Sequence, residues 1–523
     1  MTRTEIWNSI PTKQWDMIVI GGGITGAGVA REAVRQGLKV LLIEQTDYSW
    51  GTSSRSSKMV HGDLRYIAQG EIKLTWHSLT ERERLLREAP GLVDRMGYYF
   101  AHYQGKFPGR WAFGALVLVY DILAGIRDYS FVKANAFLKE MPGYRGELLK
   151  GASRYTDALT DDSRLVLRVL DEARQDGAVT LNYVKATDLI IENGRVHGLR
   201  LENRITGELA DARAGVVINA TGAWADRLRC KLVDEARVRP LRGSHIVIPH
   251  ERLPVGEAAI FMHAEDKRPL FVYPWEGRTV IGTTDLDHKE DIDLEAAMSQ
   301  QELDYILRGA NGEFPALRLT SADVIASFSG VRPVVSSGNA LNPSQERRDH
   351  VVWDNQGLIT VTGGKLTTFR LIALDVLKAA ANYVPILSHT SKAPIFTAVH
   401  DPDPEAALPV AMRQRMVGRY GFLLSRFLKD MPAEELVAIN PAVGSCWAEL
   451  RWALRHEQVE HLDDLLLRRT RIGLLLAQGG EEVLPRLKGM CASELGWDDE
   501  RWQLEVARYR DTWKRYYSLP GAA

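Results

Sequence analysis

The stretch from Trp15 to Glu44 reads W-D-M-I-V-I-G-G-G-I-T-G-A-G-V-A-R-E-A-V-R-Q-G-L-K-V-L-L-I-E, and its reading decides the fold. Met17 to Ile20 is a short apolar run with three β-branched residues, the pattern of a strand buried in a parallel sheet. Gly21, Gly23 and Gly26 follow as G-x-G-x-x-G, Ala27 to Gln36 reads as a helix, and Lys39 to Ile43 as a second strand ending in Glu44. Each residue type has a task. Gly21 permits a tight turn, Gly23 lets the backbone approach a pyrophosphate, and Gly26 lets helix and strand pack closely. The N-terminus of that helix offers unpaired N–H groups and a partial positive charge to phosphate. The Glu44 carboxylate can accept hydrogen bonds from ribose hydroxyls and would repel a 2′-phosphate, which argues against NADP. Strand, loop, helix, strand and acid in this register make a βαβ dinucleotide-binding unit.

Outward from that unit, 523 residues are too many for one simple domain. Lys and Arg number 66 against 67 Asp and Glu, so there is no overall field to attract nucleic acid. Cys230, Cys446 and Cys491 are far apart and form no C-x-x-C, so neither a disulfide framework nor a metal site is expected, as suits a reducing compartment. Met1 to Gln14 has no apolar signal-peptide core. No stretch reaches the ~18 apolar residues of a membrane span. The nearest is Trp111 to Ile126, interrupted by Asp121. Two readings stay open for it: a buried core helix, or a helix lying in a membrane interface with Trp111, Phe113 and Tyr120 at headgroup level.

Gln45 to Arg65 is a Ser-, Thr- and Gly-rich loop, while Thr75 to Glu88 and Ser163 to Gly177 have helical spacing. Thr180 to Arg200 alternates around the turn Glu192-Asn193-Gly194. Ala214 to Asn219 is another buried strand, running into Ala220-Thr221-Gly222. His245 to about Ala326 carries many strand-like runs that suggest an antiparallel layer. Val351 to Val361 returns to strand, and Gly363-Gly364 opens a helix over Thr367 to Asn382. Ala448 to His456, Asp463 to Ala477 and Asp499 to Tyr517 read as helices, with Arg468 and Arg469 expected on a solvated face or paired with carboxylates. The chain is therefore α/β: a Rossmann-like domain assembled from 12–90, 150–240 and 345–390, an antiparallel-sheet substrate domain from 91–149 and 241–344, a linker at 391–406, and an all-helical C-terminal cap at 407–523. Strands near Met17, Leu41, Val216 and Leu358 would share one sheet.

Further motifs carry a family resemblance. They are T-S-S-R-S-S-K-M-V-H-G-D-L-R-Y (Thr52 to Tyr66), N-A-T-G-A-W-A-D (Asn219 to Asp226), R-G-S-H-I-V-I-P (Arg242 to Pro249), E-D-K-R-P-L-F-V-Y-P-W (Glu265 to Trp275), I-G-T-T-D (Ile281 to Asp285), S-G-V-R-P (Ser329 to Pro333), G-G-K-L-T-T-F-R (Gly363 to Arg370) and L-D-D-L-L-L-R-R-T-R-I-G (Leu462 to Gly473). With I-G-G-G-I-T-G-A-G at Ile20 to Gly28, this set resembles the FAD-dependent glycerol-3-phosphate dehydrogenases of the D-amino-acid-oxidase-like superfamily. The glycine and A-T-G motifs are shared by many flavoproteins, and the rest are more specific. One departure stands out: the family has H-G-G-L-R-Y where this chain has H-G-D-L-R-Y, placing Asp63 beside the flavin loop. That carboxylate can pair with Arg65 or point away.

The resemblance implies non-covalent FAD and oxidation of sn-glycerol 3-phosphate to dihydroxyacetone phosphate. Hydride passes from C2 to flavin N5 and electrons continue to a membrane quinone, from a peripheral, cytoplasmic-face position. FAD would be held by Gly21, Gly23, Ile24, Thr25, Gly26, Glu44, Thr52, Ser53, Ser56, Ser57, Lys58, His61, Gly62, Ala220, Thr221, Gly222, Gly364, Lys365, Leu366 and Thr367. His245 is the implied base, since a neutral imidazole accepts a proton near pH 7; outside G-S-H-I-V such a histidine would read as structural. Arg332 and Arg348 are the implied substrate ligands, because a guanidinium fork suits phosphate. Arg65, Tyr66 and Thr284 are further substrate contacts, and Lys365 a further catalytic or phosphate-binding group. Rival readings are an oxidase using O2, a relative acting on another 2-hydroxy or 2-amino compound, and a non-catalytic flavoprotein. A homodimer is compatible with the sequence, which shows no clear interface patch.

Overall fold

The computed structural model describes residues 2–68, 70–336, 349–387, 393–399 and 408–521. Gln14–Ile20, Ile24–Val34 and Val40–Ile43 form the strand–helix–strand unit read from the sequence. Ile20 pairs in parallel with Ile43 on one side and with Asn219 on the other. Leu358–Thr360 adds in parallel beside Val217–Asn219, and Val179–Leu181 beside Leu41–Ile43. The strands near Met17, Leu41, Val216 and Leu358 thus share one sheet, as their apolar runs require: a strand covered on both faces has no polar side to show. Ile24–Val34 packs against Asp162–Gln175 and Phe369–Ala380 on one face. Val184–Glu192 and Arg195–Asn203 form the antiparallel hairpin expected around Asn193-Gly194.

The second sheet runs Leu286–Asp287, Val238–Pro249, Arg278–Gly282, Pro269–Trp275, Ala258–Met262, Val93–Tyr103, Leu149–Thr160 and Met59–Val60, with Ala326–Val335 paired along Val238–Val247. It is antiparallel except where Ala258–Ile260 meets Tyr98–Phe100. Leu149–Thr160 is the larger difference from the sequence reading. It falls in the range read as cofactor domain, yet it pairs along Val93–Tyr103 in this second sheet. Its residues, L-K-G-A-S-R-Y-T-D-A-L-T, carry no pattern that assigns it to one sheet, so only the long-range pairing decides.

The C-terminal region is built of helices, among them Val410–Tyr420, Trp447–His456, Leu484–Leu495 and Asp499–Tyr516. The expected helix over Asp463 to Ala477 is broken. A π-turn over Asp464–Arg469 is followed by Arg471 at φ +64° and the short helix Ile472–Leu475. The break turns Arg468, Arg469 and Arg471 inward, so the solvated-face reading of the first two is corrected: all three are buried. Arg110–Ala124 is a helix matching neither earlier reading in full. Phe113 and Tyr120 face the interior, while Trp111, Leu118 and Ile122 are exposed, Trp111 by 78%. Of the linker expected at 391–406, residues 391–392 and 400–406 lie outside the described residues.

Candidate active site

One cavity of about 520 Å³ runs between the two sheets. At one end, Gly21 at φ +112° brings the backbone so close to Ala220 that a Cβ there would sit 2.5 Å from the Ala220 carbonyl oxygen. Gly26 lies behind it, where a Cβ would meet the Gly21 oxygen at 1.9 Å, so helix and strand approach as only glycine allows. The Ile24–Val34 helix begins after Gly23 without a side-chain cap at that position, and the Ile24 N–H donates to Ser53 Oγ at 3.0 Å. Glu44 accepts from the Gly22 N–H at 2.7 Å and the Thr46 N–H at 2.9 Å, which fixes its carboxylate on the cavity wall; burial pushes its pKa up. A helix start that follows a glycine, a close backbone approach and a fixed acid in one elongated cavity fit a dinucleotide such as FAD.

The other end is built by Val238–Pro249, Ala326–Val335 and the loop after Val40–Ile43. His245 is 2% exposed, stacks on Phe328 at 4.6 Å between centroids, and shares a 2.9 Å hydrogen bond with Ser57 Oγ through Nε2. Its Nδ1 has no partner among the described residues. Burial, with help from the Lys58 and Arg332 charges, lowers its pKa well below the usual histidine value, so the imidazole is neutral at pH 7. The Arg332 side chain is 30% exposed, on the same cavity wall; its Nη2 donates to the Thr284 carbonyl at 3.3 Å and lies 3.4 Å from Asp285. Lys365 follows the Gly363-Gly364 turn, its ammonium 3.4 Å from Asp63 Oδ2 and 3.9 Å from the centre of the Tyr66 ring.

Of the residues expected to hold cofactor, Gly21, Gly23, Ile24, Thr25, Glu44, Thr52, Ser53, Ser56, Ser57, His61, Ala220, Thr221, Gly222, Gly364, Lys365, Leu366 and Thr367 all line the cavity. Gly26 and Gly62 support it from behind, the Gly62 N–H donating to Tyr120 Oη at 2.8 Å. Lys58 does not reach it: the side chain is fully buried, with Nζ 3.0 Å from Asp162 and set against Trp275 and Phe328. Burial and the Arg471 charge lower its pKa to about 8. Thr284 also turns away from the cavity. Its hydroxyl donates to Glu302 at 2.7 Å and accepts from the Ser244 N–H, so only its carbonyl serves the site, by holding Arg332. Tyr66 is buried beneath Lys365 rather than on the wall. Arg348 and the side chain of Arg65 lie outside the described residues.

The sequence reading missed several wall residues. Arg55 sits inside the quoted T-S-S-R-S-S-K motif, and its guanidinium lies 5.2 Å from the Trp50 ring. Its Nη2 is 2.9 Å from Glu295, and its Nε donates to Tyr517 Oη at 3.2 Å. Arg268, inside E-D-K-R, donates to the Asp285 carbonyl at 2.8 Å. Trp50 and Trp224 meet at 5.7 Å. The motifs contained the signal for both arginines, but Glu295 and Tyr517 are hundreds of residues from Arg55, and nothing local points to them.

The fold and this cavity define a flavin-type dinucleotide oxidoreductase. Residues 16–370 match the family described as FAD dependent oxidoreductase, and 380–502 match the C-terminal domain of alpha-glycerophosphate oxidase. The chain is 35% identical, over 97% of its length and 89% of the relative's, to glycerol-3-phosphate dehydrogenase 2 of Mycobacterium tuberculosis. It is 34% identical, over 72% of its length and 68% of the relative's, to the aerobic glycerol-3-phosphate dehydrogenase of Bacillus subtilis. The glycerol-3-phosphate dehydrogenase of Bacillus halodurans, solved with FAD, superposes with a TM-score of 0.76 at 28% identity, covering 98% of this chain and 97% of that one. The chain belongs to the FAD-dependent glycerol-3-phosphate dehydrogenase family of oxidoreductases, and FAD is its cofactor.

Proposed function

We propose that this protein oxidises sn-glycerol 3-phosphate to dihydroxyacetone phosphate and passes the electrons to a membrane quinone. The observation that carries the reading is that a neutral buried imidazole, His245, and a guanidinium, Arg332, share one cavity with the dinucleotide cradle. When bound, FAD supplies the hydride acceptor. Arg332 binds the phosphate and, with its Nη2 tied to the Thr284 carbonyl, orients the substrate along the wall. His245 accepts the proton of the C2 hydroxyl; its ring is fixed by Phe328 and by the Ser57 hydrogen bond, so little reorganisation is needed. The relatives' names support the substrate.

The acceptor reading draws on the surface. No helix among the described residues is long and apolar enough to cross a membrane. Phe107, Trp111, Leu118 and Ile122 nevertheless form an exposed apolar face on and beside the Arg110–Ala124 helix, near the basic Lys106, Arg110 and Arg127. Aromatic and aliphatic groups flanked by cations suit an anionic lipid surface. The inner side of the same helix carries Tyr120, which holds the Gly62 backbone next to the cavity loop.

The test is anaerobic mixing of the yellow holoprotein with sn-glycerol 3-phosphate while visible flavin absorbance is followed. Bleaching that is absent with the opposite enantiomer is expected; a flavin that stays oxidised overturns the substrate reading. Quinone-analogue reduction faster than oxygen uptake is expected, and the reverse would make the protein an oxidase.

A further inference from the structure

We propose that Asp63 is a specificity-determining residue of the cavity: its carboxylate engages the Lys365 ammonium and so limits how tightly the cavity binds phosphate-type anions. The proposal rests on the reading above for the identity of the natural anion, and on geometry for the rest. Asp63 lies at φ +69°, a conformation that L side chains rarely adopt and that Asp tolerates better than most. Its side chain is on the cavity wall, with the residue 4% exposed. A carboxylate in such a place needs a charged partner, because burying it alone is costly. One such partner comes from 302 residues away: Lys365 Nζ, 3.4 Å from Oδ2.

Two groups therefore close on one ammonium. Asp63 faces it, the Tyr66 ring lies 3.9 Å away, and the Tyr66 N–H donates to the Asp63 carbonyl at 3.1 Å, so carboxylate and ring are set by one turn. Lys365 is also a wall residue. An anion entering within reach of Lys365 competes with Asp63 for the same cation and meets a like charge a few ångströms away. An anion at Arg332 meets a cation seated differently, against the Thr284 carbonyl and Asp285. Asp63 thus directs phosphate towards Arg332 and keeps free phosphate from saturating the cavity.

The experiment uses the holoprotein and inorganic phosphate, with binding measured by titration calorimetry and by perturbation of the flavin spectrum, so that no turnover is needed. Asp63→Asn keeps the shape and removes the charge, and Asp63→Gly also fits the positive φ. Both are expected to tighten phosphate binding on the order of tenfold, with KM for glycerol 3-phosphate falling in parallel. Lys365→Met should change phosphate affinity little in the parent protein and should abolish the gain in the Asp63→Asn background. Glu192→Gln, a charge removal on the outer hairpin where the partner Arg213 is off the cavity wall, should leave the affinity unchanged. Unchanged phosphate affinity in both Asp63 variants, or a gain that survives Lys365→Met, overturns the proposal. A parent protein that ignores glycerol 3-phosphate while Asp63→Asn still binds phosphate more tightly would remove the substrate reading and leave this one standing.

Discussion

Two sets of arginines, one on the cavity wall and one in the seam under the C-terminal helices, show how burial decides what a cation does. On the wall, the Arg332 side chain is 30% exposed, its Nη2 resting on a carbonyl and near Asp285. In the seam, Arg468 is 1% exposed, its Nε donating to Asp47 at 2.6 Å and its Nη2 to Asp463 and Asp464. Arg469 clasps Asp47 with two further bonds, and Arg471 reaches the Ser54 carbonyl at 2.5 Å. Guanidiniums met by carboxylates in the dry interior are structural, whereas one that opens on a cavity can meet a ligand. The seam still serves the site. Asp47 follows Glu44 in the chain, and Ser54 belongs to the loop that carries Ser53, Ser56 and Ser57 along the cavity.

The sharpest way to break the contrast is on the wall. His245→Gln should slow flavin reduction about 10²- to 10⁴-fold with little loss of binding, as expected for a removed base; a parental rate in stopped flow would remove His245 from that role. The same residue sets a pH signature. Its folded pKa lies well below the ~6.5 of an unfolded histidine, so the folded state binds fewer protons than the unfolded one. The stability it supports is complete above about pH 6.5 and declines as pH falls towards the folded value. The acid limb of kcat/KM should accordingly lie below pH 6.5, which a pH–rate profile checks.

In the seam, Asp47→Asn should destabilise by about 3–5 kcal/mol, because it strands two buried guanidiniums. The Arg469 and Arg468 charges overcome the burial penalty and hold the Asp47 carboxyl below the usual range, so its contribution should persist to low pH. Urea unfolding, followed for C-terminal and flavin signals together, is the measurement. Arg332→Ala should raise KM for glycerol 3-phosphate by about 30- to 150-fold, the equivalent of ~2–3 kcal/mol for a hydrogen bond to a charge, with a smaller change in kcat; the steady-state split checks it. The smallest effect is expected where wall and seam meet. Tyr517→Phe removes the acceptor for Arg55 Nε and should weaken FAD retention by about 1 kcal/mol. The change should be non-additive with Arg55→Gln in FAD-release fluorescence.

Much of the site was legible because its parts are local. A glycine pattern after an apolar run specifies a phosphate-binding turn wherever it sits, and the sequence placed Gly21, Gly23, Glu44 and the Thr52–Ser57 loop on one cavity. Motif position alone points Lys58 and Thr284 towards ligands, and position does not say which way a side chain turns. Asp162 and Glu302, which take these two side chains, are not readable as partners from either motif.

By itself, then, the sequence determined the cofactor unit, the parallel strands around it and the family, because turns, strand burial and helix starts are written in residues a few positions apart. The tertiary structure decided the rest. It assigned Leu149–Thr160 to the second sheet, seated Tyr517 against Arg55, paired the guanidiniums of Arg468 and Arg469 with Asp47, and set Asp63 on Lys365. Each of these depends on which distant carboxylate, hydroxyl or strand edge arrives at the same place, and only the folded chain brings them together.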